Sequence, residues 1–407
     1  MTTANLQFDP FAPGFAGDPY EQYRRLRERD PVHVDALGTW YLFGHTDIRD
    51  FLRDPDLSVD LSRAHPTLMT ELLAEGLGER SDDNPVSFNH VMFFHDPPKH
   101  TRLRRLVQQA FTARIVTNLR PRISRIVDAM LDGVESAGEC DLVEAFTFPL
   151  PFKVITELIG ADTRRSDEVR DWSGVLVQHL DPTVPADMGQ MVHAATEIRA
   201  HADDIIEWKR ANPADDLLTG LIQAEEDGET LSHDELVEQV VFLYIAGHET
   251  TVNLLGNGSL ALLGHPDQYR LLGSDPEIAA VAPDELLRYD PPVQFSRRIT
   301  VSEMDVSGTT IEEGATVMLA LGSAHRDRDF WGPDADSLDL RRPNANEHVA
   351  FGGGRHYCIG AHLARTEAEI GLGTMARRFP DLRLAGEAKW NGRINLRGVS
   401  ELPVAVC

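Results

Sequence analysis

Phe351-Gly352-Gly353-Gly354-Arg355-His356-Tyr357-Cys358-Ile359-Gly360 sets one cysteine among four glycines and runs into a helical pattern, Ala361-His362-Leu363-Ala364-Arg365-Thr366-Glu367-Ala368. This spacing predicts Cys358 near a helix N-terminus, where peptide N–H groups and the helix dipole favour thiolate over thiol. Glycines permit φ > 0 and let backbone come close to a bulky planar partner. With Cys140 and Cys407, Cys358 is one of only three cysteines in 407 residues, which rules out a disulfide framework. A buried thiolate, hydrogen-bonded by backbone and lacking a disulfide partner, suits a single axial ligand to iron. Read alone, the same residues also suit a structural cysteine in a glycine-rich turn.

A second stretch supports a site. Ser232-His233-Asp234-Glu235 is a capping-box pattern, in which serine and glutamate satisfy orphan N–H groups reciprocally. It predicts a helix running to about Gly264, roughly thirty residues and about 45–50 Å long. The helix is apolar all round in its middle and therefore buried. There it carries Ala246-Gly247-His248-Glu249-Thr250-Thr251. Gly247 costs about 1 kcal/mol of helix propensity relative to alanine. Unsatisfied Glu249, Thr250 and Thr251 are costly in an apolar setting. Leu243, Gly247, Thr250, Thr251 and Leu254 share one stripe. Three unfavourable choices together point to a site; a water-filled kink or threonines bonding back to the preceding turn is the alternative.

Around these stretches the chain reads as mainly helical. Arg120 to Val134 repeats apolar residues at Ile123, Ile126, Val127, Met130, Leu131 and Val134, and Ala214 to Glu226 behaves likewise. Val32-His33-Val34 and Thr39-Trp40-Tyr41-Leu42-Phe43 flank Gly38 as a strand pair. Short strands are expected again at Arg298 to Thr310, at Ala315 to Leu321 and near the C-terminus.

Composition sets outer limits. Apolar residues make up 42% and charged residues 26%, as in an ordinary globular chain. Net charge is −26, which repels phosphate backbones and excludes nucleic acid as a partner. The longest apolar run, Val240 to Ala246, is far short of the ~20 residues of a membrane span. Met1 to Pro19 has no basic segment followed by an apolar core, so no secretory signal is read and a cytoplasmic location is expected. His248-Glu249 fails as a zinc-peptidase motif because Val252 stands where the second histidine is needed. The glycines around Cys358 lack the spacing of a dinucleotide fingerprint.

Four motifs now fall in one order. Phe351–Gly360 fits the haem-binding pattern Phe-Gly-x-Gly-x-His-x-Cys-x-Gly, and Ala246–Thr251 an oxygen-activation segment. Asp284-Glu285-Leu286-Leu287-Arg288-Tyr289 fits a Glu-x-x-Arg helix, and His95-Asp96-Pro97-Pro98-Lys99-His100-Thr101-Arg102-Leu103-Arg104 a haem-contacting helix. From about residue 95 to 365 the chain thus resembles the cytochrome P-450 monooxygenases, specifically the soluble bacterial members. The resemblance implies a mainly α fold with small β-sheets (α+β), a long central buried helix over haem, and one catalytic domain over residues 1–407.

It also implies roles. Cys358 would ligate the iron of haem b as thiolate, with Phe351 packed beside it and Gly360 in the motif. His100, Arg104, Arg298 and His356 would hold the propionates. Ala246 and Gly247 would border the oxygen site, and Glu249 and Thr250 would pass protons. Glu285 and Arg288 would form a structural ion network; Ser337 stands where many relatives carry a third arginine, with Arg341 or Arg342 as its substitute. The pocket would be lined by the Asn84–Phe94 loop with Phe88 and Val91, by Phe242 and Ile245, by Val293, Gln294 and Phe295, and by Leu396 to Val399. Pro182–Met191 would form part of a lid. Gln294 would offer the substrate one hydrogen bond.

The implied reaction inserts one oxygen atom of O2 into a lipophilic small molecule. No flavin or nicotinamide fingerprint is present, so electrons would come from a separate ferredoxin and its reductase, docked by Arg102, Arg105 and Arg355. No covalent haem attachment motif occurs. A monomer without membrane attachment is expected. A haem-binding sensor or carrier, and oxidative coupling on the same scaffold, are the alternatives.

Overall fold

The computed structural model describes residues 7–67, 70, 88–161, 163–178, 187–226 and 228–406. Residues 84–87 of the expected pocket loop, residues 182–186 of the expected lid and Cys407 lie outside this set.

The main helices are α1 (Tyr20–Arg29), α2 (His45–Arg53), α3 (Lys99–Ala110), α4 (Ala113–Ala137), α5 (Pro149–Ile159) and α6 (Ser166–Gln178). They continue with α7 (Met188–Ala211), α8 (Leu217–Gln223), α9 (His233–Leu263), α10 (Pro266–Ser274), α11 (Pro276–Tyr289) and α12 (Ala361–Arg378). One sheet has four strands: β1 (Val32–Val34), β2 (Trp40–Leu42), β3 (Phe295–Ile299) and β4 (Thr316–Ala320), in the spatial order β1-β2-β4-β3. β1 and β2 are antiparallel with Val32 opposite Leu42, as the Gly38 punctuation predicts. β2 and β4 are parallel, with Trp40 opposite Val317. The fold is the mainly helical arrangement expected, with small sheets at both ends of the chain.

Helix α9 is the axis. Ser232 caps it with the full reciprocal box: its Oγ accepts from the Glu235 N–H, and its own N–H donates to Glu235 Oε2 at 2.8 Å. Thirty-one residues at about 1.5 Å each span about 46 Å. α5, α6, α7 and α12 pack around it. Its core residues, among them Val240, Val241, Leu254, Leu255 and Leu262, are essentially inaccessible to water. Each such side chain contributes about 1.5–3 kcal/mol of burial, far more than propensity supplies.

One helical expectation is too long. Within Ala214–Glu226 only Leu217–Gln223 is helical. Asp216 caps the start by accepting from the Thr219 N–H, Ala224 turns extended, and Glu225–Glu226 pairs with Glu229–Thr230 instead. Among the described residues no helix is long and apolar enough to cross a membrane.

Candidate functional site

Cys358 lies three residues before α12, as the glycine loop predicts. Its N–H donates to Phe351 O at 2.9 Å, which closes the loop on itself. Gly352 and Gly354 have φ of 70° and 59°, a region that side chains disfavour. Two of the glycines also serve a protein neighbour. A Cβ on Gly354 would lie 2.8 Å from Leu52 O, and one on Gly353 3.0 Å from Leu52 Cβ. The loop is therefore pressed against the end of α2.

The thiol departs from expectation in two respects. It is accessible rather than buried, although protein packs around it. Desolvation by this enclosure pushes the Cys358 thiol up. The N–H groups of Gly360 and Ala361, with the Arg104 and Arg365 guanidiniums, pull it down but do not prevail. Helix-end donors alone thus leave the thiol form favoured. A bound metal cation deprotonates a coordinating thiol, so these residues fit a site completed by a cation.

The four expected propionate ligands converge. The His356 and His100 rings meet at 4.3 Å between centroids, tilted by 46°. Burial pushes His100 down to about 4 and His356 down to about 3, with Arg104 and Arg355 opposing a positive charge on either ring. Arg298, also adverse to His356, is itself lowered to about 10 by burial and stays charged at neutral pH. Among the described residues none of the four has a carboxylate partner. Arg104 donates to Tyr357 O at 2.7 Å, and Arg298 to Arg297 O at 2.7 Å. Neither His100 ring nitrogen makes a well-formed hydrogen bond, although the Arg355 backbone is within polar reach. Buried cations are normally paired. Asp96 acts on His100 and Arg298 only at longer range, so a cluster of buried and partly buried donors without a directly bonded carboxylate, beside an accessible cysteine, fits a dianionic ligand such as haem with its two propionates.

On α9 the middle of the helix opens toward a space. Phe242, Leu243, Ala246, Gly247, Glu249 and Thr250 are partly accessible, while Val241, Tyr244, Ile245 and His248 are buried. Of the stripe expected from sequence, Leu243, Gly247 and Thr250 lie on this face, whereas Thr251 and Leu254 are buried. Both threonines bond back along the helix, Thr250 Oγ1 to Ala246 O at 2.8 Å and Thr251 Oγ1 to Gly247 O at 3.0 Å. Gly247 also admits a neighbour: a Cβ there would meet Ile155 Cδ1 at 3.3 Å. Glu249 is not free, because Arg393 Nη1 donates to its Oε1 at 2.7 Å.

Behind the cysteine loop, Glu285 and Arg288 are fully buried and bonded twice, at 2.7 and 2.8 Å. Arg288 also donates to the carbonyls of His325, Ala335 and Ser337. Arg342, not Arg341, substitutes for the missing arginine: it is buried, with its Nε 3.4 Å from Glu285. Ser337 contributes only its carbonyl. The network reaches the loop by two routes. His325 Nε2 accepts from Val349 N at 2.9 Å. Asp284 binds both His348 and Arg365, and Arg365 lies over the Phe351 ring at 4.6 Å. Sequence reasoning missed Arg365, whose signal is its place about one turn into the helix that follows Cys358.

The pocket expectations divide. Phe88 and Phe242 meet 6.4 Å apart, and Phe93 and Phe94, which sequence reasoning did not single out, complete an aromatic cluster with them. Val293 bridges to Leu396 and is half-buried. Val91, Ile245 and Val399 are buried. Gln294 is not a pocket group. Its amide donates to Pro291 O at 2.7 Å and accepts from the Tyr23 hydroxyl at 3.2 Å, with no exposure. Phe295 likewise turns away, packing against Phe8, Tyr23 and Tyr41 in an aromatic core. Gln294 just before β3 and Phe295 at its first position both meet Tyr23 of α1. Arg102 is also reassigned: Glu229 and Glu235 hold it at 2.8 and 2.7 Å, so its charge is spent within the chain.

Comparison with known proteins defines the class: the family described as Cytochrome P450 matches residues 65–273 and 281–390, and the chain belongs to it. It is thus a haem- and iron-dependent monooxygenase, an oxidoreductase. Cytochrome P450 107B1 of Saccharopolyspora erythraea is 41% identical over 99% of both chains. The vitamin D(3) 25-hydroxylase of Pseudonocardia autotrophica is 40% identical over 100% of this chain and 98% of its own. Among solved structures, P450BioI in complex with hexadec-9Z-enoic acid ligated acyl carrier protein superposes with a TM-score of 0.87 at 31% identity. That match covers 97% of this chain and 99% of the other.

Proposed function

We propose that this chain, as one catalytic domain and a monomer, hydroxylates or epoxidises a lipophilic, ring-bearing small molecule using haem b held by Cys358. Haem, when bound, would supply dioxygen binding and activation, with Cys358 as a thiolate ligand that donates electron density. His100, Arg104, Arg298 and His356 would hold its propionates, and Phe351 and Gly360 would shape the loop beneath it. The convergence beside Cys358 of four buried or partly buried donors, none in a salt bridge with a carboxylate among the described residues, carries this reading.

Glu249 and Thr250 hold and move protons at the distal wall, where a hydroxyl and a carboxylate sit one residue apart on an otherwise apolar stripe. Phe88, Phe93, Phe94 and Phe242 offer apolar faces to a substrate. With Gln294 spent on Tyr23 and Pro291, substrate orientation rests on shape and apolar contact rather than on that amide. A ferredoxin, reduced by its own reductase, supplies electrons at the outer face of the cysteine loop. There a hollow of about 300 Å³ is lined by Arg49, Arg53, Tyr357 and Arg365.

Titrating the ferric holoenzyme with a library of sterols, macrolides and fused-ring aromatics tests this reading. Apolar ring compounds should shift the Soret band toward high spin. A response confined to small polar compounds would overturn the substrate class.

A further inference from the structure

Three polar residues of α9 follow one another a turn apart, Glu249, Asn253 and Asn257, and all three hold the same C-terminal loop. Asn257 Nδ2 donates to Arg397 O at 3.1 Å while its Oδ1 accepts from Val399 N at 3.2 Å. Asn253 Nδ2 donates to Leu396 O at 3.4 Å, and the loop comes so close that a Cβ on Gly398 would lie 1.9 Å from Asn253 Oδ1. Glu249 accepts from Arg393 at 2.7 Å. The two asparagines grip backbone. Only the Glu249 rung is charged and side chain to side chain, and it can open without unmaking the loop.

Within the loop Asn391 donates to Leu396 O and accepts from Arg393 N. Asn395 ties the far end to the start of β3 by accepting from the N–H groups of Gln294 and Phe295. Leu396 also bridges to Val293, a residue of the expected substrate wall. A body entering the pocket against Val293 or Leu396 therefore bears on the segment that carries Arg393. Meanwhile Thr250 spends its hydroxyl proton on Ala246 O. Acid and alcohol are both occupied, and neither addresses the other.

We propose that Arg393 is a positioning residue that parks the Glu249 carboxylate until substrate shifts the Arg393 end of the C-terminal loop, which ties proton delivery to pocket occupancy. This rests on the reading of Glu249 as a proton carrier. The latch responds to substrate only through differential contact with the two loop positions, and Val293–Leu396 supplies that contact. Its purpose is economy of electrons. In an empty pocket each O2 that takes two electrons and two protons leaves as H2O2, so withholding protons limits the loss.

The test uses holoenzyme with a ferredoxin, its reductase and NADPH, and no substrate, following NADPH oxidation and H2O2 release. The thiolate-type carbonyl spectrum is checked first for every variant. Arg393→Gln should raise both rates about tenfold, and Arg393→Lys, which keeps the cation, should return them close to wild type. Glu249→Asp shortens the acid out of reach of Arg393 and should also raise them, so the proposal survives a poorly folding Arg393→Gln. Wild-type rates in both Arg393→Gln and Glu249→Asp would overturn the latch. The double variant Arg393→Gln/Glu249→Gln separates the two levels: loss of the increase supports the latch, whereas a persisting increase sinks the reading of Glu249 as proton carrier.

Discussion

Arg342 reaches the fully buried Glu285 carboxylate at 3.4 Å and completes, from an unexpected position, the ion network behind the cysteine loop. Its contacts are long, 3.4 Å to each Glu285 oxygen and 3.1–3.5 Å to three carbonyls, whereas Arg288 makes two short bonds to the same carboxylate and three short ones to carbonyls. Removing one partner of a buried pair leaves an uncompensated charge, at about 3–5 kcal/mol. Arg288→Ala should therefore cost about that much in urea denaturation, and Arg342→Ala only about 1–2 kcal/mol. Equal losses in the two variants would contradict the geometry.

Haem retention should depend on the buried donors. A charge-assisted hydrogen bond contributes about 1.5–3 kcal/mol, so Arg298→Leu should speed haem transfer to apomyoglobin roughly 10- to 150-fold. Unchanged transfer would place the propionates elsewhere.

Three histidines predict an acid limit. Burial pushes His45 down to about 4, drives His325 well below its ordinary range and lowers His348 despite its Asp284 partner. In the unfolded chain each binds a proton near pH 6.5. The unfolded state thus holds more protons below that pH, and stability falls as pH drops from about 6.5 toward 4. Each histidine contributes up to about 1.4 kcal/mol per pH unit. His325 accepts from Val349 N, which leads into the cysteine loop, so the carbonyl spectrum should fail alongside the melting temperature. A flat melting temperature between pH 7.5 and 5.5 would refute this.

Redox-partner docking should involve the exposed Arg53 on the rim of the outer hollow. Arg53→Glu should raise the apparent KM for ferredoxin about tenfold and weaken its salt dependence, since rim charges act mainly on encounter. Arg102→Glu, already neutralised by Glu229 and Glu235, should change neither. The reverse ranking would move the docking face.

What the sequence disclosed depended on range. The α9 boundaries were readable because Ser232 and Glu235 are three residues apart, and the Cys358 loop because its glycines answer local backbone needs. Gln294 misled because its partner, Tyr23, is 271 residues away and invisible to spacing. Arg393 escaped notice for the same reason, 144 residues from Glu249. The choice between Arg341 and Arg342 turned on which side of a turn faces inward, and one is exposed while the other is buried. Local chemistry was legible; the pairing of distant polar groups was not.

Sulfur ligation by Cys358 is tested most directly by the absorption spectrum of the reduced carbon monoxide complex, recorded for wild type and for Cys358→His. Wild type should show the red-shifted Soret band of a thiolate trans to carbon monoxide, and the variant should lose it for an imidazole-type band. An imidazole-type band in folded, haem-replete wild type, or a thiolate band that survives in Cys358→His, would contradict the account.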